Sequence, residues 1–252
     1  MDIGGPEHRQ HEAIAGRIGA VQSDGSVVWG AEFRVNVQAA GGQFEQQVVE
    51  LGGGRVLFTW LSNDIDVDGD PSGISARIGT VQPDGSIVWD SFGELTVNEE
   101  VQDDQEGPLV TTLADGRVMF AWTSYDPDVD GSGSAMSARI GTVQPDGSVV
   151  WGAAGEITLN EEITNGQFGV QISVLPDGRV LATWWSEDPD VDGASAGIST
   201  RIGTVLADGS ISWGAAGELT VNEEVQGVQN EVQVTVLPDG RVLFVWSSSD
   251  PD

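Results

Sequence analysis

Residues 137–151 read Ser-Ala-Arg-Ile-Gly-Thr-Val-Gln-Pro-Asp-Gly-Ser-Val-Val-Trp. An apolar-rich run, an Asp-Gly pair at the turn and a second run closed by an aromatic residue form the pattern of a β-hairpin. The pattern recurs. Segments beginning Arg17-Ile18-Gly19, Arg77-Ile78-Gly79, Arg139-Ile140-Gly141 and Arg201-Ile202-Gly203 are spaced by 60, 62 and 62 residues, and each runs into an Asp-Gly-Ser turn and a Trp. A period of this length marks a repeat architecture, in which one unit cannot bury its apolar face without a neighbour.

Working outward from this hairpin, residues 105–160 predict four strands. Leu109–Leu113 is the first, and the turn Ala114-Asp115-Gly116 leads to the second, Arg117–Ser124. In that strand Val118, Phe120 and Trp122 occupy one face and Met119 and Ala121 the other, so the sheet is covered on both sides. Ser137–Gln144 is the third strand. The fourth is read in two pieces, Ser148–Trp151 and Glu156–Asn160. Nothing in the chain signals a helix.

Four-stranded units, each sandwiched between its neighbours, are what a β-propeller requires. The expected fold is therefore all-β, a four-bladed propeller with repeats at about 43–104, 105–166, 167–228, and 229–252 plus 1–42, forming a single domain. The chain opens in a third strand and closes after a second strand. Pairing of its terminal strands would complete the fourth blade and remove the exposed edges.

Composition narrows the function. Of 252 residues, 39% are hydrophobic, enough for a substantial core. Acidic residues outnumber basic ones by 40 to 10, for a formal charge of -30. That sign excludes nucleic acid as an expected partner and draws cations. The absence of Cys removes disulfides, zinc-thiolate sites and thiol nucleophiles. No run reaches the roughly 18 apolar residues of a membrane helix, so no membrane insertion is expected. The opening residues lack the charged-then-apolar order of a signal peptide, so export is expected to use another route.

Between the second and third strands of each unit lies a loop of alternating carboxylates followed by Gly. The copies are Asp64, Asp66, Asp68; Asp126, Asp128, Asp130; and Asp188, Asp190, Asp192, with a fourth cut to Asp250 and Asp252 that Asp2 would complete in a closed ring. Calcium takes six to eight oxygen ligands, and an Asp-x-Asp-x-Asp-Gly turn folds three carboxylates around one ion. Calcium is the expected cofactor. The twelfth loop positions hold Ser75, Ser137 and Ser199 in place of the bidentate Glu of an EF-hand, which excludes a helix-loop-helix sensor.

Other residues recur without clear chemistry. Trp29, Trp89, Trp151 and Trp213 follow the Asp-Gly-Ser turns, and Trp60, Trp122, Trp184 and Trp246 lie on the second strands. They serve packing between blades or, in the alternative, stack on sugars. Trp185 falls outside both series. Arg55, Arg117, Arg179 and Arg241 and Arg17, Arg77, Arg139 and Arg201 form two series, expected to be charge partners for recurring acids such as Glu94, Glu156 and Glu218 or, in the alternative, to make one series a ring of anion-binding groups; the Arg55 series follows hairpin glycines and is expected to be exposed. Asn36, Asn98, Asn160 and Asn222 are read as satisfying backbone groups at turns. The only histidines, His8 and His11, accompany no nucleophile, and four near-identical blades offer no unique site, so no catalysis is expected.

The order Glu32-Phe33-x-Val35-Asn36, then Leu-x-Asp-Gly-Arg-Val-x-x-x-Trp at residues 113–122, an Asp/Gly loop and Ser-Ala-Arg-Ile resembles the blade-like repeats of very large secreted bacterial proteins of the RTX, hemolysin-type calcium-binding class. The nonapeptide Gly-Gly-x-Gly-x-Asp repeats of that class are absent. The resemblance implies an extracellular or cell-surface module. The reading from sequence is thus a non-catalytic, calcium-binding propeller that acts in binding or adhesion, with a glycan or surface polymer as possible partner. The alternatives are a lectin using repeated Trp clefts or a structural spacer.

Overall fold

The computed structural model describes residues 13–38, 41–63, 72–99, 102–125, 132–161, 164–187, 196–223 and 227–249. Every regular element among them is a strand. The amino-terminal part contributes β1 (Ala15–Gly16), β2 (Gly19–Val21), β3 (Val27–Trp29) and β4 (Phe33–Arg34). The first full unit is β5 (Gln43–Gly52), β6 (Arg55–Ser62), β7 (Gly73–Val81) and β8 (Ile87–Thr96). The second is β9 (Gln105–Thr112), β10 (Val118–Ser124), β11 (Ser132–Val143) and β12 (Val149–Thr158). The third is β13 (Thr164–Val174), β14 (Val180–Ser186), β15 (Gly197–Val205), β16 (Ile211–Trp213) and β17 (Leu219–Thr220). Two strands follow, β18 (Gln229–Val236) and β19 (Val242–Ser248).

Each full unit is an antiparallel meander in a repeating register. Val56, Val118 and Val180 face Gly79, Gly141 and Gly203, while Trp60, Trp122 and Trp184 face Ser75, Ser137 and Ser199. The hairpins expected from sequence are present, with Gly85, Gly147 and Gly209 at φ of 80°, 91° and 88°. That left-handed conformation suits Gly and explains the Asp-Gly pairs. Two boundaries differ from expectation. The third strand β11 begins at Ser132 rather than Ser137, and β12 is continuous because a register shift between Arg139 and Gly141 absorbs the irregularity read as a break.

The two faces of each second strand pack against different neighbours. Leu57, Leu61, Ile74, Ala76 and Ile78 of the first unit share a core with Val118, Phe120 and Trp122 of the second. Met119, Ala121, Met136 and Ile140 of the second share the next core with Val180, Ala182 and Trp184 of the third. The first strands β5, β9, β13 and β18 neighbour one another in that order, as the inner strands of successive blades do. Short seams join the units there: Ser72 Oγ and Ser134 Oγ accept from the backbone of Gln105 and Gln167 at 3.1 and 3.0 Å, and Ala196 bridges Val228 in parallel.

Among the described residues no strand pairing joins the two ends of the chain. Among the described residues β18 and β19 form a sheet of their own, β1 pairs only with β4, and β2 only with β3. The all-β, repeated-blade architecture is therefore seen, while the expected pairing of amino- and carboxy-terminal strands is not among the observed registers.

Candidate functional site

The recurring tryptophans and arginines prove to be joints between units. Nε1 of Trp60, Trp122, Trp184 and Trp246 donates to Oε1 of Gln43, Gln105, Gln167 and Gln229 at 2.7, 2.7, 2.8 and 2.9 Å. Trp60, Trp122 and Trp184 are fully buried, so each indole N–H needs that acceptor. Arg77, Arg139 and Arg201 lie over the rings of Trp89, Trp151 and Trp213 at 4.1, 4.3 and 4.4 Å. Each of these arginines donates to a carbonyl of the preceding unit, Val35, Val97 or Leu159, at 2.7, 2.9 and 2.8 Å. Beside them Glu94, Glu156 and Glu218 accept from the backbone N–H of Val37, Glu99 and Glu161. Burial lowers the three guanidinium pKa values, opposed by nearby glutamates.

Two further series behave in structural ways. Oδ1 of Asn36, Asn98, Asn160 and Asn222 accepts from the buried N–H of Ile14, Ile74, Met136 and Ile198 at 2.8, 2.8, 2.8 and 2.7 Å. Arg55 and Arg117, expected to be exposed, instead reach into the next unit, Arg55 to the Gln144 carbonyl at 2.8 Å while pairing with Asp90 of its own unit, and Arg117 to the Leu206 carbonyl at 2.7 Å. Arg179 and Arg241 are exposed and pair with the adjacent turn residues Asp177 and Asp239.

Where the copies depart from one another, a different feature forms. At the start of the first strand the four units carry Phe44, Glu106, Phe168 and Asn230; near the end of the second strand they carry Leu61, Thr123, Trp185 and Ser247; just beyond it stand Asn63, Tyr125, Glu187 and Ser249. In the third unit Phe168 and Trp185 are register partners and stack, with centroids 4.4 Å apart at 28°. Tyr125 of the second unit stands 6.4 Å from Phe168, and its hydroxyl donates to Glu106 Oε2 at 3.3 Å. Glycines make room for this platform: a Cβ at Gly166 would lie 2.2 Å from the Phe168 ring, and one at Gly169 3.2 Å from the Trp185 ring.

The first strands bulge at the same height in every unit, placing Glu45, Gly107, Gly169 and Glu231 at φ of 54°, 61°, 67° and 54°. Gly suits that conformation, and a non-Gly residue there costs about 1–2 kcal/mol. Two units nevertheless carry Glu. Bulges that re-aim side chains and strained residues both concentrate at functional sites. Oε2 of Glu45 accepts from the N–H of Gly107 at 2.9 Å, so this carboxylate lies against the residue that follows Glu106. Glu45, Asp104, Glu106 and Glu187 are exposed, and Tyr125, Phe168 and Trp185 half-buried.

The arrangement is an open platform of three aromatic rings with carboxylates beside it. Burial, reinforced by Glu106 and Asp104, pushes the Tyr125 hydroxyl up to about 12. It therefore remains a donor and holds Glu106 in place. A half-exposed aromatic pair offers its faces to the C–H surface of a ring-shaped polar ligand, while carboxylates accept from that ligand's hydroxyl groups. Paired carboxylates are also the groups that glycoside cleavage uses. In the sequence, the signal for this site was Trp185 lying outside the repeating series.

The expected calcium ligands Asp2, Asp64, Asp66, Asp68, Asp126, Asp128, Asp130, Asp188, Asp190, Asp192, Asp250 and Asp252 all lie outside the described residues, as do His8 and His11. Among the described residues no group of three or more His, Cys, Asp or Glu converges to hold a metal ion.

No family model and no curated protein matches the chain. Solved structures do. A protein of unknown function from Dyadobacter fermentans aligns at 13% identity and a TM-score of 0.53, over 82% of this chain and 62% of its own. An α-L-arabinofuranosidase from Fusarium graminearum aligns at 15% identity and a TM-score of 0.50, over 83% of this chain and 58% of its own. This chain thus spans about three fifths of the length of either structure. The likeness is one of fold, an all-β architecture of β-propeller type. It corrects the expectation of a non-catalytic calcium-binding module and of no enzyme. That expectation rested on four near-equivalent blades leaving no unique site, whereas an arabinofuranosidase is built on this fold and the units here differ at Glu106, Tyr125, Phe168 and Trp185.

Proposed function

We propose that the chain is a carbohydrate-active propeller that cleaves glycosidic bonds in a polysaccharide held on the Phe168–Trp185 platform. One observation carries the reading: a stacked aromatic pair beside carboxylates from two other units, at a place where the repeats depart from one another. The sugar ring stacks on Trp185 and Phe168. Glu106, oriented by Tyr125, and Glu45, oriented by the Gly107 N–H, are the candidates for the two carboxyl roles, one protonating the leaving oxygen and the other activating water or attacking directly. The arabinofuranosidase of like fold supports this substrate class.

The test is release of reducing ends from arabinan, xylan and fructan, run with retardation of the protein in native gels cast with each polymer. Trp185→Ala is expected to abolish retardation, and Glu106→Gln to keep it while lowering release by about 100- to 10,000-fold. Neither release nor retardation on any polymer would sink the reading.

A separate proposal rests on the sequence alone. Calcium in the loops of Asp64–Asp68, Asp126–Asp130 and Asp188–Asp192 is supported by their alternating carboxylates, and an extracellular location by the resemblance to secreted repeat proteins.

A further inference from the structure

Three polar side chains of the first full unit share one face of its sheet, at the joint with the preceding segment. Ser75 and Arg77 stand two residues apart on β7 and so on the same face. Glu94 of β8 is the register partner of Arg77 and shares that face. Arg77 Nη1 donates to the Val35 carbonyl and Glu94 Oε2 accepts from the Val37 N–H, both at 2.7 Å. The guanidinium and the carboxylate thus leave facing positions on two strands and end two residues apart on the same segment. These contacts use one end of each group.

The other end is buried without a protein partner. Arg77 Nε, Glu94 Oε1 and Ser75 Oγ are shielded from solvent, and none meets a hydrogen-bond partner from the chain. Ser75 as a whole is 0% exposed. The second and third units repeat the pattern. Ser137 Oγ and Arg139 Nε, and Ser199 Oγ and Arg201 Nε, are buried in the same way, while Nη1 of each arginine reaches the carbonyl of Val97 or Leu159. Glu156 faces Arg139 as Glu94 faces Arg77. The same atoms are left over each time, so the arrangement belongs to the unit and not to one irregular side chain. Buried polar atoms of native proteins find a partner in the protein or in ordered water.

The chemistry of the leftover atoms decides what sits among them. Nε–H and Oγ–H are donors, and a carboxylate oxygen is an acceptor. A metal ion is repelled by the guanidinium, an anion is repelled by the carboxylate, and an apolar group satisfies none of the three atoms. A water molecule accepts from the two donors and donates to the carboxylate, which makes the three bonds typical of a buried water. We infer that each full unit binds one internal water molecule at its joint with the preceding segment, held in the first unit by Ser75 Oγ, Arg77 Nε and Glu94 Oε1. This water ties β7 to β8 through the same two groups that grip residues 35–37, so it is part of the joint. Ser75, Ser137 and Ser199 face Trp60, Trp122 and Trp184 in the register. A small hydroxyl beside each large ring supplies a polar corner that an apolar residue would close.

A crystal structure of the unmodified chain, at a resolution that shows ordered solvent, tests this directly. It is expected to place a solvent peak at about 2.6–3.2 Å from Ser75 Oγ, Arg77 Nε and Glu94 Oε1, with equivalent peaks beside Ser137 and Ser199. If the three atoms were instead bonded to one another or to other groups of the chain, with no peak among them, the inference would be overturned. A peak with oxygen distances of about 2.3–2.6 Å would identify a cation and overturn it as well. In solution, relaxation dispersion of oxygen-17 water counts the molecules held inside a protein for longer than it takes to tumble. Ser75→Val puts a second methyl group where the hydroxyl corner was and should lower that count by one relative to wild type, with an unchanged far-ultraviolet circular dichroism spectrum showing that the variant folds. A folded Ser75→Val protein that keeps the wild-type count would also overturn the inference, and if the variant fails to fold the crystal peaks decide.

Discussion

Trp122, packed in the core shared with the preceding unit, illustrates how much that core depends on a single polar atom of its own unit. Its ring is fully buried and Gln105 Oε1 is the acceptor for its N–H at 2.7 Å. Replacing Gln105 with Leu keeps the volume but leaves a buried donor without an acceptor, which costs about 1–3 kcal/mol. Urea unfolding should show a midpoint lowered accordingly, with an unchanged slope because the surface exposed on unfolding stays the same. An unchanged midpoint would mean that water reaches the indole. This dependence was not legible from residue types. The sequence placed Trp122 in packing correctly, but the Gln lies 17 residues earlier and becomes a neighbour only through the hairpin. The opposite holds at the proposed sugar site, where Trp185 stands out by breaking the period, while no pattern in the sequence marks Glu106 and Tyr125, which meet only through strand pairing.

At the scale of the element, the hairpin turns carry their own acid sensitivity. The Ser86 hydroxyl, followed by the Ser86 backbone N–H, holds the Asp84 carboxyl below its ordinary 3.8, and Ser148 and Ser210 do the same for Asp146 and Asp208. A carboxyl lowered on folding contributes stability that is complete above its unfolded pKa and disappears as pH falls through the folded value. An Asp84→Ala/Asp146→Ala/Asp208→Ala variant should therefore melt below the wild type by a constant interval at neutral pH. The interval should narrow below pH 3.8 and vanish in stronger acid. A gap independent of pH would show that turn geometry, and not ionisation, sets the contribution. These turns were the most legible part of the chain, because Asp-Gly-Ser dictates its conformation locally. Strand lengths were less so. β11 starts before Ser137 because it pairs in parallel with β13 of the next unit, a contact that no local pattern encodes. The bulges at Glu45 and Glu231 were invisible for the same reason, since an αL Glu contradicts its own propensity and is held there by its surroundings.

For the whole molecule the dominant quantity is a charge of -30 on 252 residues. Self-repulsion of that size weakens the compact state, and bound divalent ions relieve it. If the acidic loops hold calcium, chelator-treated protein should melt higher on adding millimolar calcium, gaining about 2.7 kcal/mol when the ion is at a hundred times its dissociation constant. A variant with Asp66, Asp128 and Asp190 changed to Asn should lose most of that rise, and an equal rise in wild type and variant would assign it to general screening instead. Composition made this tension plain from the outset, and periodicity marked the length of the repeating unit. How the first and last strands are partnered was not legible, because it depends on the wedge between sheets, to which every side chain of an interface contributes a little. The joints have a further consequence. Arg77, Arg139 and Arg201 each grip the unit before in the same way, and Glu94, Glu156 and Glu218 do likewise. Removing residues 105–166 as a block, or inserting a second copy of them, brings together surfaces equivalent to pairs that already meet elsewhere in the chain. Recombination between the coding repeats can thus lengthen or shorten the protein by whole units without inventing a new kind of contact, and gene length becomes a variable that selection can tune separately from the soundness of any one joint.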